Sequence, residues 1–163
     1  MWLSDRRHVL ALAAAGLVAA CGFTPGYGPG GSADRLYGRV SIAEPQDQET
    51  YILVRELEHR LGRGSIPEYD MIFSLRTNTE GQAITAEGNI TRFSIVGIAD
   101  FQLKPRGEDT VLAEGSARNF VGYSATGTTV ETLAAERDAF ERLMIILADQ
   151  IVAQLYATAE LPE

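Results

Sequence analysis

Cysteine is almost missing from this 163-residue chain, with Cys21 alone, and histidine is scarce, at two. A single thiol cannot close an intramolecular disulfide, so stability has to come from packing even in an oxidising compartment. His8 lies close to the amino terminus and His59 stands by itself in the rest. No second histidine or free thiol accompanies His59 for a zinc site or a Cys/His pair, and the residues call for no metal and no cofactor. His59 falls on the charged face of a helical pattern, where a solvated side chain is the plain reading. A basic surplus is absent too. The formal net charge of −8 argues against nucleic acid and against adhesion to an anionic surface by bulk electrostatics. An anionic ligand would need a local basic cluster.

What is present begins with Arg6-Arg7, an apolar run of about a dozen residues and small residues before Cys21, the three parts of a secretory signal. The run is too short to span a bilayer. Leu17-Val18-Ala19-Ala20-Cys21 matches a bacterial lipobox, which makes residues 1–20 a signal peptide and Cys21 the site of a covalent lipid, palmitate among its acyl chains. At ~0.8 kcal/mol per buried CH₂, one chain holds weakly and two or three anchor durably. An ordinary signal peptide with an unrelated cysteine is the alternative. Asp5-Arg6-Arg7-His8-Val9-Leu10 also fits a twin-arginine signal, so the Sec and twin-arginine routes both stay open. Gly22, rather than Asp, follows the cysteine and points to the outer membrane. Removing residues 1–20 takes Asp5, Arg6 and Arg7 away, leaving 143 residues at a formal charge of −9, enough for one domain.

Residues 21–35, dense in Gly and Pro, read as a tether. They include Gly26-x-Gly28-x-x-Gly31, the letters of a dinucleotide fingerprint, without the preceding strand and following helix that give those glycines their meaning. Residues 36–163 read as a single domain. Leu36, Val40 and Ile42 share one parity and predict a short strand that ends before Pro45. From about Gln46 to Leu61 the stripe Leu53, Val54, Leu57, Leu61 predicts a helix, with Glu56 and Arg60 spaced i,i+4 and Gly62 at its end. Period two then runs through Met71, Phe73 and Leu75 toward Thr85, through Phe93 to Leu103, and from Val111 to Tyr123. Short connections make these an antiparallel meander. Thr128 to Glu131 has capping-box spacing and opens a long helix to about Ala157, with Phe140, Leu143, Met144, Leu147, Ile151 and Leu155 in its apolar stripe. Acidic flanks favour packing on the sheet over lying on a membrane.

The predicted fold is therefore α+β: a two-layer sandwich of about four mostly antiparallel strands with two helices on one face, in the order β-α-β-β-β-α. One sheet face would be core, lined by Phe93, Ile95, Phe101 and Leu103, with small Ala99, Ala113 and Ala117 admitting a helix. The other, carrying Val96, Ile98 and Phe120 among charges, is unusually apolar for a face meant only for water.

Cys21-Gly22-Phe23-Thr24-Pro25-Gly26-Tyr27-Gly28 resembles the opening of the lipopolysaccharide-assembly lipoprotein family, LptE, in its alphaproteobacterial branch. Gly26 departs from that branch, which carries a leucine there. Thr91-Arg92-Phe93, Ala135-Glu136-Arg137-Asp138-Ala139 and Leu147-Ala148-Asp149-Gln150-Ile151 are also similar to the family, and the element order agrees along the mature chain. The resemblance implies a non-enzymatic outer-membrane lipoprotein that plugs and assists assembly of a β-barrel partner, LptD, one to one, and takes part in lipopolysaccharide transport. Candidate barrel-facing residues are Val96, Ile98 and Phe120. Candidate lipopolysaccharide contacts are Lys104 and Arg106 at a strand turn, then Arg76, Arg92 and Arg118 on the strands.

Two other readings stay open. One is a periplasm-facing scaffold or binding lipoprotein with another partner. The other is a carboxylate-dependent cell-wall hydrolase using Glu136, Asp138 or Glu141, against which stands their position near a helix N-terminus, where carboxylates stabilise the dipole. Asn89-Ile90-Thr91 is a glycosylation sequon by its letters and carries no weight in a bacterial lipoprotein.

Overall fold

The computed structural model describes residues 28, 30–85 and 88–162. The expected signal peptide 1–20, the lipidation site Cys21 and the tether up to residue 27 lie outside the described residues.

Seven elements follow in order: α1 (Ser32–Leu36), β1 (Val40–Ile42), α2 (Gln48–Leu61), β2 (Tyr69–Ile84), β3 (Ile90–Pro105), β4 (Ala113–Ser124) and α3 (Thr129–Thr158). They form one four-stranded sheet in the order β1-β2-β3-β4, with the long helices packed on one side, as the hydrophobic pattern predicts. β2, β3 and β4 are an antiparallel meander, whereas β1 runs parallel to β2, with α2 as the crossover. The short α1 is an addition to the predicted order. Leu36, assigned from its parity to a strand, closes α1 instead and is fully buried. Gly38, at φ +73°, then turns the chain into β1.

α2 starts on a reciprocal cap: Oδ1 of Asp47 accepts from the Thr50 amide at 2.7 Å, and Oγ1 of Thr50 accepts from the Asp47 amide at 3.0 Å. The Asp47 carboxyl is held below its ordinary 3.8, first by the Thr50 backbone N–H. α3 opens on the predicted Thr128/Glu131 capping box. At 1.5 Å per residue its 30 residues span about 45 Å. The stripe Leu143, Met144, Leu147, Ile151 and Leu155 is fully buried against the sheet and against Leu53, Leu57 and Leu61 of α2, each such side chain contributing about 1.5–3 kcal/mol. Ion pairs clamp the two helices at their outer seam: Arg55 to Glu141 at 2.9 Å and Arg60 to Asp149 at 2.6 Å, with Arg60 also on Glu56 at 2.9 Å.

Small residues on β3 and β4 let α3 descend onto the sheet, as the alanines predict: Ala99 and Ala117 are buried to 1% or less. Gly97 adds the closest approach, since a Cβ there would stand 3.0 Å from Cδ1 of Leu147. At one pole α1 meets the last described residues of the chain. Oγ of Ser32 donates to the Tyr156 carbonyl, the Arg35 guanidinium to the carbonyls of Leu161 and Pro162, and the Glu160 amide to the Leu112 carbonyl at 3.0 Å. At the other pole β2 and β3 run on as a two-stranded arm, in which residues 78–83 are exposed on both faces. Among the described residues no helix is long and apolar enough to cross a membrane.

Candidate functional site

The strands alternate as far as Gly81, beyond which the β2–β3 register shifts. Odd-numbered residues of β2 to β4 face the helices and even-numbered ones face away, onto a sheet surface that no helix of the described residues covers. Register sets the composition of that bare face row by row. Arg76, Ile98 and Arg118 lie side by side across three strands, and Asn78, Val96 and Phe120 form the next row. In the following row Ser94 is buried and Gly122 has no side chain, so the guanidinium of Arg92, one row further on, lies across Gly122, 3.5 Å from where a Cβ would stand. Phe120, 67% exposed, thus sits between Arg118 and the Arg92 guanidinium.

The structure therefore brings together Val96, Ile98, Phe120, Arg76, Arg92 and Arg118. With strands ~4.8 Å apart, the Cα atoms of Arg76 and Arg118 are about 10 Å from one another. Arg76 is held by Asp100 at 2.7 Å, whereas among the described residues Arg92 and Arg118 have no carboxylate partner. Lys104 and Arg106 are not part of this group. Lys104 is paired in register with Asp70, about 20 Å along β3 from the Ile98 row. It lies 3.9 Å from Asp109, and the Arg106 amide donates to the Glu68 carbonyl at 2.8 Å at the far pole. Between the two basic zones lies an open groove of about 590 Å³ floored by Ile72, Asp100, Gln102 and Glu114. The five candidate cations thus form two clusters separated by carboxylates.

The carboxylates considered for hydrolysis do not converge. Glu136 accepts from the Tyr123 hydroxyl at 3.2 Å, Asp138 from Arg142 at 2.9 Å and Glu141 from Arg55 at 2.9 Å, each engaged by its own partner. Burial, then the Glu136 charge, pushes the Tyr123 hydroxyl above its ordinary 10.0. His59 is exposed on α2.

The periodicity gave no warning of a second concavity, about 450 Å³, between the start of α2 and the first turns of α3, where Asp47, Glu49 and Glu136 surround Ile52, Leu133 and Phe140. Its signal is apolar residues off the main stripe: Ile52 on α2 and Leu133 on α3, the latter 48% exposed.

The molecule is a two-layer α+β domain with one sheet face left bare by the described helices, on which arginines and apolar side chains adjoin. The sequence profile of the lipopolysaccharide-assembly family, LptE, matches residues 37–155, from β1 through most of α3, and the chain belongs to that family. Solved structures share the fold at low identity. A candidate lipoprotein of Caulobacter crescentus superposes with a TM-score of 0.64 at 18% identity, covering 77% of this chain and 94% of its own. The rare lipoprotein B of Shewanella oneidensis gives 0.57 at 11%, covering 74% and 93%. The minor lipoprotein of Acinetobacter baumannii gives 0.58 at 18%, covering 77% and 98%. No curated protein sequence matches the chain.

Proposed function

We propose that the chain is a non-enzymatic lipoprotein of the outer membrane, lipidated at Cys21 after loss of residues 1–20, which occupies the lumen of the LptD β-barrel one to one and assists its assembly. In that place it takes part in passing lipopolysaccharide to the outer leaflet. The opening Cys21–Gly28 supports the alphaproteobacterial branch of the family.

The observation that carries the reading is the bare sheet face, on which Arg76, Arg92 and Arg118 alternate with Val96, Ile98 and Phe120. Lipopolysaccharide is an amphiphile with phosphates beside acyl chains. The guanidinium groups of Arg92 and Arg118, which have no carboxylate partner among the described residues, suit bidentate binding of phosphate, and the intervening apolar side chains accept hydrocarbon. A wide barrel has a polar lumen that stands open to water unless it is plugged, and an acidic domain with one mixed face suits such a lumen better than it suits lipid. Family membership supplies the process, and the sheet face supplies the surface.

The test is photocrosslinking in cells, with probes at Val96, Ile98 and Phe120 compared with probes at Glu49 and Glu58 on α2. Adducts with the barrel are expected from the sheet face and few or none from the helix. No barrel adduct from any position, or full function in cells lacking the barrel, overturns the reading. Intact-mass measurement of the membrane form should show acylated Cys21, and Cys21→Ser should release the chain from the membrane.

A further inference from the structure

The pole opposite the two-stranded arm has a composition that neither the sheet face nor the helix seam shares. It is assembled from three turns tied together by main-chain hydrogen bonds: Gly38 N–H to the Leu61 carbonyl at 2.7 Å, Glu68 N–H to the Arg39 carbonyl at 2.8 Å, and Arg106 N–H to the Glu68 carbonyl at 2.8 Å. Three large apolar side chains point into solvent from these turns: Ile66 at 81% exposure, Tyr37 at 64% and Val111 at 42%. Tyr37 is fixed rather than free, because its ring rests on Gly62, 3.0 Å from where a Cβ would be. Around them stand Arg39, Arg63, Lys104 and Arg106. Arg39 and Arg63 are paired with Glu68 and Glu58, Lys104 reaches only the fully exposed Asp109 at 3.9 Å, and Arg106 has no carboxylate partner among the described residues. Glu58, Glu68, Asp70, Glu108 and Asp109 stand among these cations, so the draw of this pole on a bilayer lies in its apolar tips, with the Arg106 guanidinium left to meet a phosphate.

The described chain begins at the same pole. α1 is held there by Ser32 on Tyr156 and by Arg35 on the C-terminal carbonyls. Ten residues lie between Cys21 and Ser32, eleven Cα steps, so a lipid on Cys21 keeps this pole within about 40 Å of the bilayer even with the tether fully extended. At that range contacts too weak to recruit a free protein become effectively intramolecular.

We propose that this pole is a membrane-contact surface: Tyr37, Ile66 and Val111 seat at the headgroup boundary of a phospholipid bilayer, with Arg106 and Lys104 on the phosphates. The inference rests on the reading of Cys21 as lipidated and goes beyond it, since an anchor alone leaves the body free to tumble. Aromatic and aliphatic tips insert shallowly while arginine and lysine keep their heads in the phosphate layer. The pole and the bare sheet face are separate surfaces, so lipid at one leaves the other open. This assigns Lys104 and Arg106 to phospholipid and leaves Arg76, Arg92 and Arg118 for the lipopolysaccharide contact.

Trp2 is the sole tryptophan and lies in the leader, so a tryptophan introduced into the mature chain reports alone. Ile66→Trp at the pole and Leu133→Trp at the opposite end of α3, both on the lipidated chain purified from membranes, would be reconstituted in phosphatidylcholine/phosphatidylglycerol vesicles containing brominated phospholipid. Flotation reads the anchor and quenching reads the contact. Quenching of roughly twofold or more is expected at position 66, lessened by Arg106→Glu and by added salt, with position 133 unaffected. Flotation with neither position quenched, or with both quenched alike, overturns the contact and leaves the anchor standing. Failure to float overturns the anchor and the contact with it. Quenching at position 66 that requires lipopolysaccharide in the vesicles also overturns the proposal, because it assigns the pole to that lipid.

Discussion

Replacing Gly97 by valine should destabilise the chain by about 2–3 kcal/mol, and the reason lies in how α3 meets the sheet. Gly97 is on the core face of β3, and a Cβ there would stand 3.0 Å from Cδ1 of Leu147 and 3.1 Å from Cδ2 of Leu143. Ordinary carbon–carbon contact needs about 3.5–4.0 Å. Both leucines are fully buried and have no solvent to swing into. Two effects compete on adding a methyl group. Glycine in a strand interior is less favourable than alanine by roughly 0.5–1 kcal/mol, a gain that offsets a compression of a few tenths of an ångström, so Gly97→Ala should change stability by less than about 1 kcal/mol. Valine adds two further carbons to the same space, and the overlap wins. Urea unfolding followed by far-UV circular dichroism reads the difference, and the thermal midpoint should fall by about 3–5 °C per kcal/mol. The double mutant is the sharper assay. Leu147→Ala alone should cost about 2–5 kcal/mol as a cavity, but when Gly97→Val is combined with it the valine side chain fills part of that cavity, and the two costs should sum to at least ~1 kcal/mol less than additive. A neutral valine, or strict additivity, would show that α3 does not rest on Gly97.

Asp47→Ala should cost about 1 kcal/mol by removing the α2 cap. Because the folded Asp47 carboxyl sits below 3.8, its contribution is present above that pH and lost as the pH falls through the folded value, so mutant and parent should converge in acid unfolding experiments. Arg60→Met should cost about 1–2 kcal/mol by opening the seam to Asp149 and leaving the mostly buried Glu56 with one partner fewer. The Glu56 carboxyl, held below 4.5 chiefly by Arg60, should then titrate closer to its ordinary range by NMR; an unchanged titration would disprove that cause. Arg92→Glu/Arg118→Glu should weaken lipopolysaccharide binding by about tenfold or more, ~1.4 kcal/mol, with the fold intact by circular dichroism, whereas Lys104→Glu/Arg106→Glu should leave it within about twofold. The reverse ranking would move the lipopolysaccharide contact to the anchor pole.

The long elements were legible because their patterns are long. Sixteen-residue strands give period two many repeats, and the parity that separates Ile95, Ala99 and Leu103 from Val96, Ile98 and Lys104 needs no tertiary information. The same parity identified the bare face before the register was known. What parity cannot give is the cross-strand register that sets Arg76 beside Arg118, nor the absence of a side chain at Gly122 that lets Arg92 lie inward. Parity therefore ranks Lys104 and Arg106 at the turn ahead of Arg76, Arg92 and Arg118, and it is the register that gathers the last three around Ile98 and Phe120. Leu36 was misassigned because three residues of common parity are too few to tell a strand from a helical turn. The decisive fact there is tertiary: α1 docks through Leu36 and through bonds to residues more than a hundred positions away.

Those bonds fix how the domain bears mechanical load. A pull on the chain ahead of Ser32 reaches the body through α1, where Ser32 is tied to the carbonyl of Tyr156, Arg35 to the carbonyls of Leu161 and Pro162, and Leu36 is locked in the core. These attachments oppose such a pull jointly, across α1 and the segment that ends α3 and follows it. The short parallel strand β1, with three register pairs, lies behind them and is spared a one-by-one unzipping. The weakest edge of the sheet is thereby shielded from any force arriving along the tether.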